Sequence, residues 1–359
     1  MFFTIIIAFS SLISLIVLHE FGHFITAKRF GVKVEEFGIF FPPRLFAKKI
    51  GETTYSFNLL PFGGFVKIYG EEKDIKDPRS FSSRPIWQRA LIVIAGVVVF
   101  WIISVILLSF TLWLGTSQAI SDEEEGVLID PKVQIIAVAK DSPAEEAGFR
   151  AGDIIGTIKI GNEKFEITKV KELQEFTEQY KGQEVILTIE RGKEIFETKL
   201  VPRVSPPDGE GAIGIALVRT SAISYPWYFA IWKGIEATFN LTYLTIKGWI
   251  SILTNLIRGV PIGVSIMGPV GVVGLVAQVS QLGIVYFLQF IAVISINLAL
   301  LNILPIPGLD GGKLLFLGIE KIRGKPISEK IEQPITIFFF ILLIALVIFI
   351  TLRDVQRLF

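Results

Sequence analysis

The chain has 359 residues, of which 51% are hydrophobic and 30 are Phe, with a formal net charge of +1. It is too apolar for an ordinary soluble domain, and its balanced charge offers nothing to nucleic acid. It contains no cysteine, which excludes disulfides, iron–sulfur clusters, thiolate zinc sites and a cysteine nucleophile, and leaves any metal to histidine and oxygen ligands.

Residues 1–30 carry a first apolar run, 2–27, long enough for a bilayer crossing of about 20 residues. No Lys or Arg precedes it and no small-x-small cleavage site lies beside Leu18, so it reads as a retained span and not a secretory leader. Near its end stands His19-Glu20-Phe21-Gly22-His23, which holds both histidines of the chain. Residues four apart share a helix face, so His19 and His23 can reach one metal ion, and Glu20 falls where a general base for water is needed. A charged group at mid-membrane depth costs about 2.5–3.5 kcal/mol; a buried metal is the natural partner that offsets it.

Residues 31–85 are rich in Lys and Arg, and within them 35–70 alternates apolar and polar side chains around Pro42-Pro43 and Gly63-Gly64-Phe65-Val66. This unusually aromatic stretch reads as β-hairpins packed on the membrane helices, because bare non-helical backbone is not tolerated in lipid. A second span follows at 86–115. Residues 127–204 are the one stretch with the pattern of a water-soluble domain: a strand at 133–139, a capped turn at Asp141-Ser142-Pro143, Ala151-Gly152-Asp153, a helix near 170–180 and two further strands. That order and phrasing resemble a bacterial PDZ domain, which implies a groove between 133–139 and the helix at 171–180 for a peptide ligand. Residues 224–258 carry Trp227, Trp232 and Trp249 in an amphipathic pattern, expected to lie on the outer membrane surface. Residues 260–312 hold a Gly-rich, re-entrant stretch and a third span at 284–304, and 334–352 form a fourth span with no ionisable residue.

Lys and Arg crowd the loops after the first and third spans, so the positive-inside rule puts these loops in the cytoplasm and the segment from about 115 to 283 outside. The first and third spans then run in the same direction. The third ends in Asn302-Ile303-Leu304-Pro305-Ile306-Pro307-Gly308-Leu309-Asp310-Gly311-Gly312, where the prolines stop the helix and the glycines permit unusual backbone shapes. Asp310 is expected at this unwound end, at the depth of His19 and His23. Two histidines and a carboxylate are an established zinc set.

With these motifs in place, the chain resembles the site-2 protease family of intramembrane zinc metalloproteases, and within it the bacterial regulator-of-sigma-E type. The resemblance implies Zn2+ at His19, His23 and Asp310, water activation by Glu20, and Asn302 holding the substrate backbone or stabilising the oxyanion. It implies cleavage within or near the transmembrane segment of single-pass proteins, such as anti-sigma factors or signal-peptide remnants, in regulated intramembrane proteolysis at the bacterial cytoplasmic membrane. It also matches 35–70 to a membrane-associated β-region that pairs with an unwound substrate, with Gly63, Gly64, Phe65 and Val66 at its edge. One element departs. Where many members have Gly-Pro-x-x-Asn in the second span, this chain has Gly96-Val97-Val98-Val99-Phe100, so Asn297 or Asn302 is expected to serve the substrate instead.

The expected fold class is thus a polytopic α-helical membrane protein of about four transmembrane helices, with membrane-associated β-hairpins and one extracytoplasmic PDZ-like α/β domain. The competing function is a non-proteolytic membrane scaffold or chaperone using the PDZ groove. It has no use for Glu20. A metal transporter would need polar residues through the full membrane depth, whereas here they cluster at one level.

Overall fold

The computed structural model describes residues 2–71, 75–123, 129–161, 163–192, 194–207, 209–259 and 268–356. Part of the expected re-entrant stretch, 260–267, lies outside them, as do residues 127 and 128 at the start of the expected globular domain. The chain divides into two compact units: Met1–Phe110 with Tyr228–Phe359, and Thr111–Trp227.

Among the described residues of the first unit, four helices are long and apolar enough to cross a membrane: Ile6–Arg29, Ile86–Leu114, Ile284–Ile303 and Glu329–Gln356. The first lies in α1 (Phe2–Arg29), the second is α2, and they are separated by β1 (Val34–Ile50) and β2 (Thr53–Ile68). These two long strands fold back on themselves. The first half of β1 pairs with both halves of β2, as in Gly38 with Ser56 and with Phe65. This leaves the segment from Gly64 to Ile68 at one side of the sheet, beside α1. Asn58 fastens the bend, its Nδ2 donating to Ile39 O and Phe40 O. Under the sheet, Ala27, Val34, Ile68, Ile92, Val93 and Leu317 form one apolar cluster.

After α5 (Trp227–Ile257) come α6 (Pro269–Gln281), α7 (Ile284–Ile303), α8 (Asp310–Arg323) and α9 (Glu329–Gln356). A second cluster, with Ala8, Leu15, Val97, Phe100, Val276, Ile291 and Ala299, joins α1, α2, α6 and α7. Arg89 of α2 pairs with Glu320 of α8. In α9 nearly every apolar side chain is exposed, as a lipid-facing helix requires; its buried Asp354 instead accepts from Gly268 N and Gly271 N at 2.8 Å each, capping α6. The structure corrects the expectation for 224–258. Trp101 of α2 donates to Thr242 of α5, and Gly234 abuts Ser109 eight residues further along α2. Two contacts spaced equally in opposite senses mean that α5 runs antiparallel along α2. A helix lying flat on the membrane surface would cross α2 steeply and touch it at one level.

The second unit is a seven-stranded antiparallel sheet, ordered β3-β9-β4-β5-β7-β8 with β6 on β5. Its strands are β3 (Thr116–Ile120), β4 (Ile129–Val138), β5 (Ile154–Ile160), β6 (Glu163–Glu166), β7 (Val185–Arg191), β8 (Glu194–Leu200) and β9 (Ile215–Ile223). The short α3 (Pro143–Glu146) starts at Ser142, whose Oγ accepts from Glu145 N, and α4 (Val170–Gln179) buries Leu173 and Phe176 in the core. The Asp122 carboxylate accepts from the first two amides of α4, a favourable end for a negative charge. Asp153, 1% exposed at its side chain, takes a two-pronged bond from Arg191.

This unit is wider than the expected 127–204, because β3 and β9, from outside that range, complete the sheet. The expected groove also moves. β4 lies between β5 and β9, paired with β9 from Ile129 to Val138, so its edge is not open to a ligand. The strand nearest α4 is β9, whose far edge is itself covered by β3 from Arg219 to Ile223.

Candidate metal centre

His19 and His23 lie on one face of α1, buried to 7% and 6% exposure. Opposite them stands Asp310, 9% exposed. It does not hang from an unwound helix end, as expected, but is the first residue of α8. Leu304 to Leu309 make the turn between α7 and α8, where Pro305 and Pro307 cannot supply helical hydrogen bonds. The two glycines after Asp310 are there for space, and not for an unusual backbone shape. A Cβ on Gly311 would lie 2.1 Å from Leu304 O, and one on Gly312 2.4 Å from Ile306 O. The start of α8 thus packs directly on the carbonyls that end α7, and this close approach presents Asp310 to α1.

The three donor atoms form a near-equilateral triangle. His19 Nε2 and His23 Nε2 are 3.2 Å apart, and each is 3.3 Å from Asp310 Oδ2. Asp310 Oδ2 is buried and, among the described residues, has no hydrogen bond of good geometry. Zinc with bonds of about 2.0–2.1 Å in a tetrahedron spaces its ligands about 3.3–3.4 Å apart. The triangle therefore fits one face of such a site, and a buried carboxylate oxygen without a good hydrogen bond is what a cation would satisfy. His23 Nδ1 lies 2.9 Å from Ile92 O, which orients that ring and leaves Nε2 for the metal. His19 Nδ1 has no hydrogen bond of good geometry among the described residues; its ring lies nearly parallel to that of Phe100, with centroids 4.7 Å apart.

Space around the imidazoles comes from α2. A Cβ on Gly96 would stand 2.2 Å from His23 Nε2, and one on Gly22 of α1 2.7 Å from Ala95 O. Bare backbone at both positions lets the helices close on each other, as small residues do in membrane packing.

A cavity of about 220 Å³ opens at the triangle. Glu20, Val66, Ile68, Glu71, Asn302 and Lys313 line it with the three donors. Gly64 faces Glu20 (a Cβ there would be 3.6 Å from Glu20 Cγ), so the outer segment of β2 runs past the general-base candidate. Lys313, one turn beyond Asp310, donates to Glu71 just after β2. Burial works against its charge, but Glu71 and Asp310 hold the ammonium above the usual lysine range. The remaining expected residues divide. Asn302 is in the cavity wall, its Nδ2 bonded to Leu298 O of its own helix, whereas Asn297 bonds to Val293 O and does not line the cavity. Phe65 lies against Phe41, and Gly63 faces Ile16 and Phe41.

Sequence reasoning missed Gly96, Phe100, Glu71 and Lys313. Helical spacing from Asp310 pointed to Lys313, because residues three apart share a face. Nothing local pointed to Glu71, which reaches the cavity only through the path of β2.

A model of Peptidase family M50 matches residues 7–346. A relative from Clostridium perfringens, provisionally named a zinc metalloprotease, is 32% identical over 98% of this chain and 98% of its own. The zinc metalloprotease RasP of Oceanobacillus iheyensis is 28% identical over 99% of this chain and 100% of its own. The solved PDZ domain of an SdrC-like protein from Listeria monocytogenes matches 24% of this chain and 85% of its own, at 23% identity and a TM-score of 0.21. Two imidazoles and a carboxylate at zinc spacing, set among apolar helices, agree with the family match over nearly the whole length: the chain belongs to Peptidase family M50, the site-2 proteases, and is a membrane-embedded zinc metalloendopeptidase.

Proposed function

We propose that the enzyme hydrolyses peptide bonds within or near the transmembrane segment of single-pass membrane proteins, with His19, His23 and Asp310 as the zinc ligands and Glu20 as the general base. The observation that carries this reading is the donor triangle of 3.2–3.3 Å set among apolar helices, with Glu20 on the same cavity. Zinc in such a site supplies Lewis acidity, polarising a carbonyl and acidifying water. Glu20 takes the proton of the attacking water and hands it to the leaving nitrogen. Asn302, in the cavity wall, offers its amide to the scissile peptide or to the oxyanion.

A helical peptide bond is shielded by its own hydrogen bonds, so the substrate must unwind before attack. The segment from Gly64 to Ile68, with Gly64 beside Glu20, supplies replacement backbone bonds by strand addition. The Lys- and Arg-rich loops support a metal centre open to the cytoplasm of a bacterial cell and an extracytoplasmic second unit. There the second unit acts as a PDZ-like filter or peptide-binding module. Anti-sigma-factor-like proteins and signal-peptide remnants, already shortened by another protease, are the substrate class, in regulated intramembrane proteolysis.

The test is Glu20→Gln in the reconstituted enzyme with a single-span substrate. Cleavage is expected to fall by about 10²–10⁴-fold, the usual worth of general-base catalysis, with zinc content unchanged. Undiminished cleavage would reject the assignment. Strand addition has its own test in Phe65→Pro and Val66→Pro. Neighbouring strand residues point their N–H groups to opposite sides, so one of the pair removes an outward donor. That variant is expected to lose about tenfold or more in cleavage with full zinc occupancy; parent-level cleavage in both would exclude strand addition here.

A further inference from the structure

We infer that Phe100 is a positioning residue for His19, taking over by ring stacking what a hydrogen bond does for His23. This rests on the reading of His19 as a zinc ligand. Phe100 occupies the last position of Gly96-Val97-Val98-Val99-Phe100, the stretch of the second span that departs from the expected element. Sequence reasoning treats that departure as the loss of a function. The structure gives the position a different one.

The Phe100 ring is 1% exposed and inclined only 14° to His19, with centroids 4.7 Å apart. Its backbone is anchored from two helices. Ser295 of α7 donates to Phe100 O at 2.8 Å; Ser104 Oγ lies 3.0 Å from Phe100 O and 2.9 Å from Ala292 O, its one proton serving either. Close to the His19 ring there is also bare backbone, because a Cβ on Gly96 would come within 2.7 Å of His19 Cε1. Among the described residues His19 Nδ1 makes no hydrogen bond of good geometry; the only polar backbone acting on the ring is that of Gly96, at the same close approach. The face of Phe100 and the approach of Gly96 therefore fix the direction of Nε2.

Stacking also has an electrostatic sign. An imidazole that donates to a dication becomes electron-poor, and the face of a benzene ring is negative. Phe100 thus favours the metal-bound imidazole over the free one and keeps water from that side. A branched aliphatic side chain would fill the volume without either property.

The experiment uses the full-length protein in detergent, with zinc affinity read by competition against a chromophoric chelator and ligand geometry by the visible spectrum of the Co²⁺-substituted form. Phe100→Leu is expected to weaken zinc binding about fivefold, the scale of an aromatic pair, and to shift the Co²⁺ bands. Ile291→Ala, in the same apolar cluster, is expected to lower stability and leave both readouts unmoved. The inference is overturned if Phe100→Leu matches the parent in both, or if Ile291→Ala moves them equally. Should Phe100→Leu fail to fold, Ser295→Ala releases the anchor while keeping the ring, and a loss of about twofold is expected, one weakened hydrogen bond away from the metal; none would overturn the inference. His19→Ala separates the two levels. If it keeps parent zinc affinity, the metal-centre reading itself fails; if it loses zinc while Phe100→Leu does not, only the role of Phe100 falls.

Discussion

Asp310→Ala is expected to strip the enzyme of zinc and abolish hydrolysis. Zinc sites with four protein ligands bind with roughly 10–16 kcal/mol, so one ligand's share is about 2.5–4 kcal/mol, or roughly 60- to 700-fold in affinity. The loss falls at the upper end, because Asp310 is the one anionic donor of the triangle and, among the described residues, its Oδ2 has no hydrogen bond of good geometry. Asp310→Glu should bind zinc poorly as well. One more methylene extends the side chain by about 1.5 Å, and a triangle with edges of 3.2–3.3 Å leaves no room for it. Elemental analysis of purified protein, beside the parent, reads the first effect. Thermal unfolding with and without a chelator checks the zinc loss independently: zinc bound only by the folded state stabilises it, so the chelator should lower the parent Tm and leave Asp310→Ala unchanged. Stoichiometric zinc in Asp310→Ala would remove this residue from the metal centre.

Much of this arrangement was legible before any coordinates, and for physical reasons. Apolar length alone marks a bilayer crossing, so all four spanning helices stand out from the chain. Helical periodicity puts His19 and His23 on one face, and counting crossings brings Asp310 to their depth. Contacts between distant segments were not legible. Alternation in 133–139 tells which face of a strand is buried but not which strand lies beside it, so β9 was missed as the neighbour of β4. The Trp-rich pattern of α5 reads equally well for a helix on a surface and for one lying along α2; only the Thr242 and Gly234 contacts decide. Glycine carries two meanings, backbone freedom and missing volume, and the letters do not say which applies. At Gly308, with φ of +99°, it is freedom; at Gly311 and Gly312 it is volume.

Gly96→Ala turns that second meaning into the most severe effect expected from a single methyl group. In a lone helix the change would be favourable by about 1 kcal/mol, since alanine is the better helix former. Here the new Cβ would stand 2.2 Å from His23 Nε2, 2.5 Å from its Cε1 and 2.7 Å from His19 Cε1. Neither ring can yield cheaply. His23 is held at Nδ1 by Ile92 O, and His19 is backed by Phe100. Parting α1 from α2 is no easier, because the same crossing is closed at Gly22, where the gap to Ala95 O leaves no space for a side chain. Overpacking of this kind costs about 1–3 kcal/mol in stability, but the larger consequence is chemical. The methyl group competes for the volume around Nε2 that the metal needs, so zinc affinity should fall by about 10–100-fold, of the order seen when ligand support is lost, and cleavage with it. Gly248→Ala, inside α5, is the control: nothing lies within 4 Å of its added Cβ, so it should leave zinc content and cleavage as they are and raise stability by up to about 1 kcal/mol. Full zinc occupancy in Gly96→Ala would mean that α1 and α2 can slide apart at their crossing, and the tight packing of bare backbone against the imidazoles would no longer explain how the donor triangle is held.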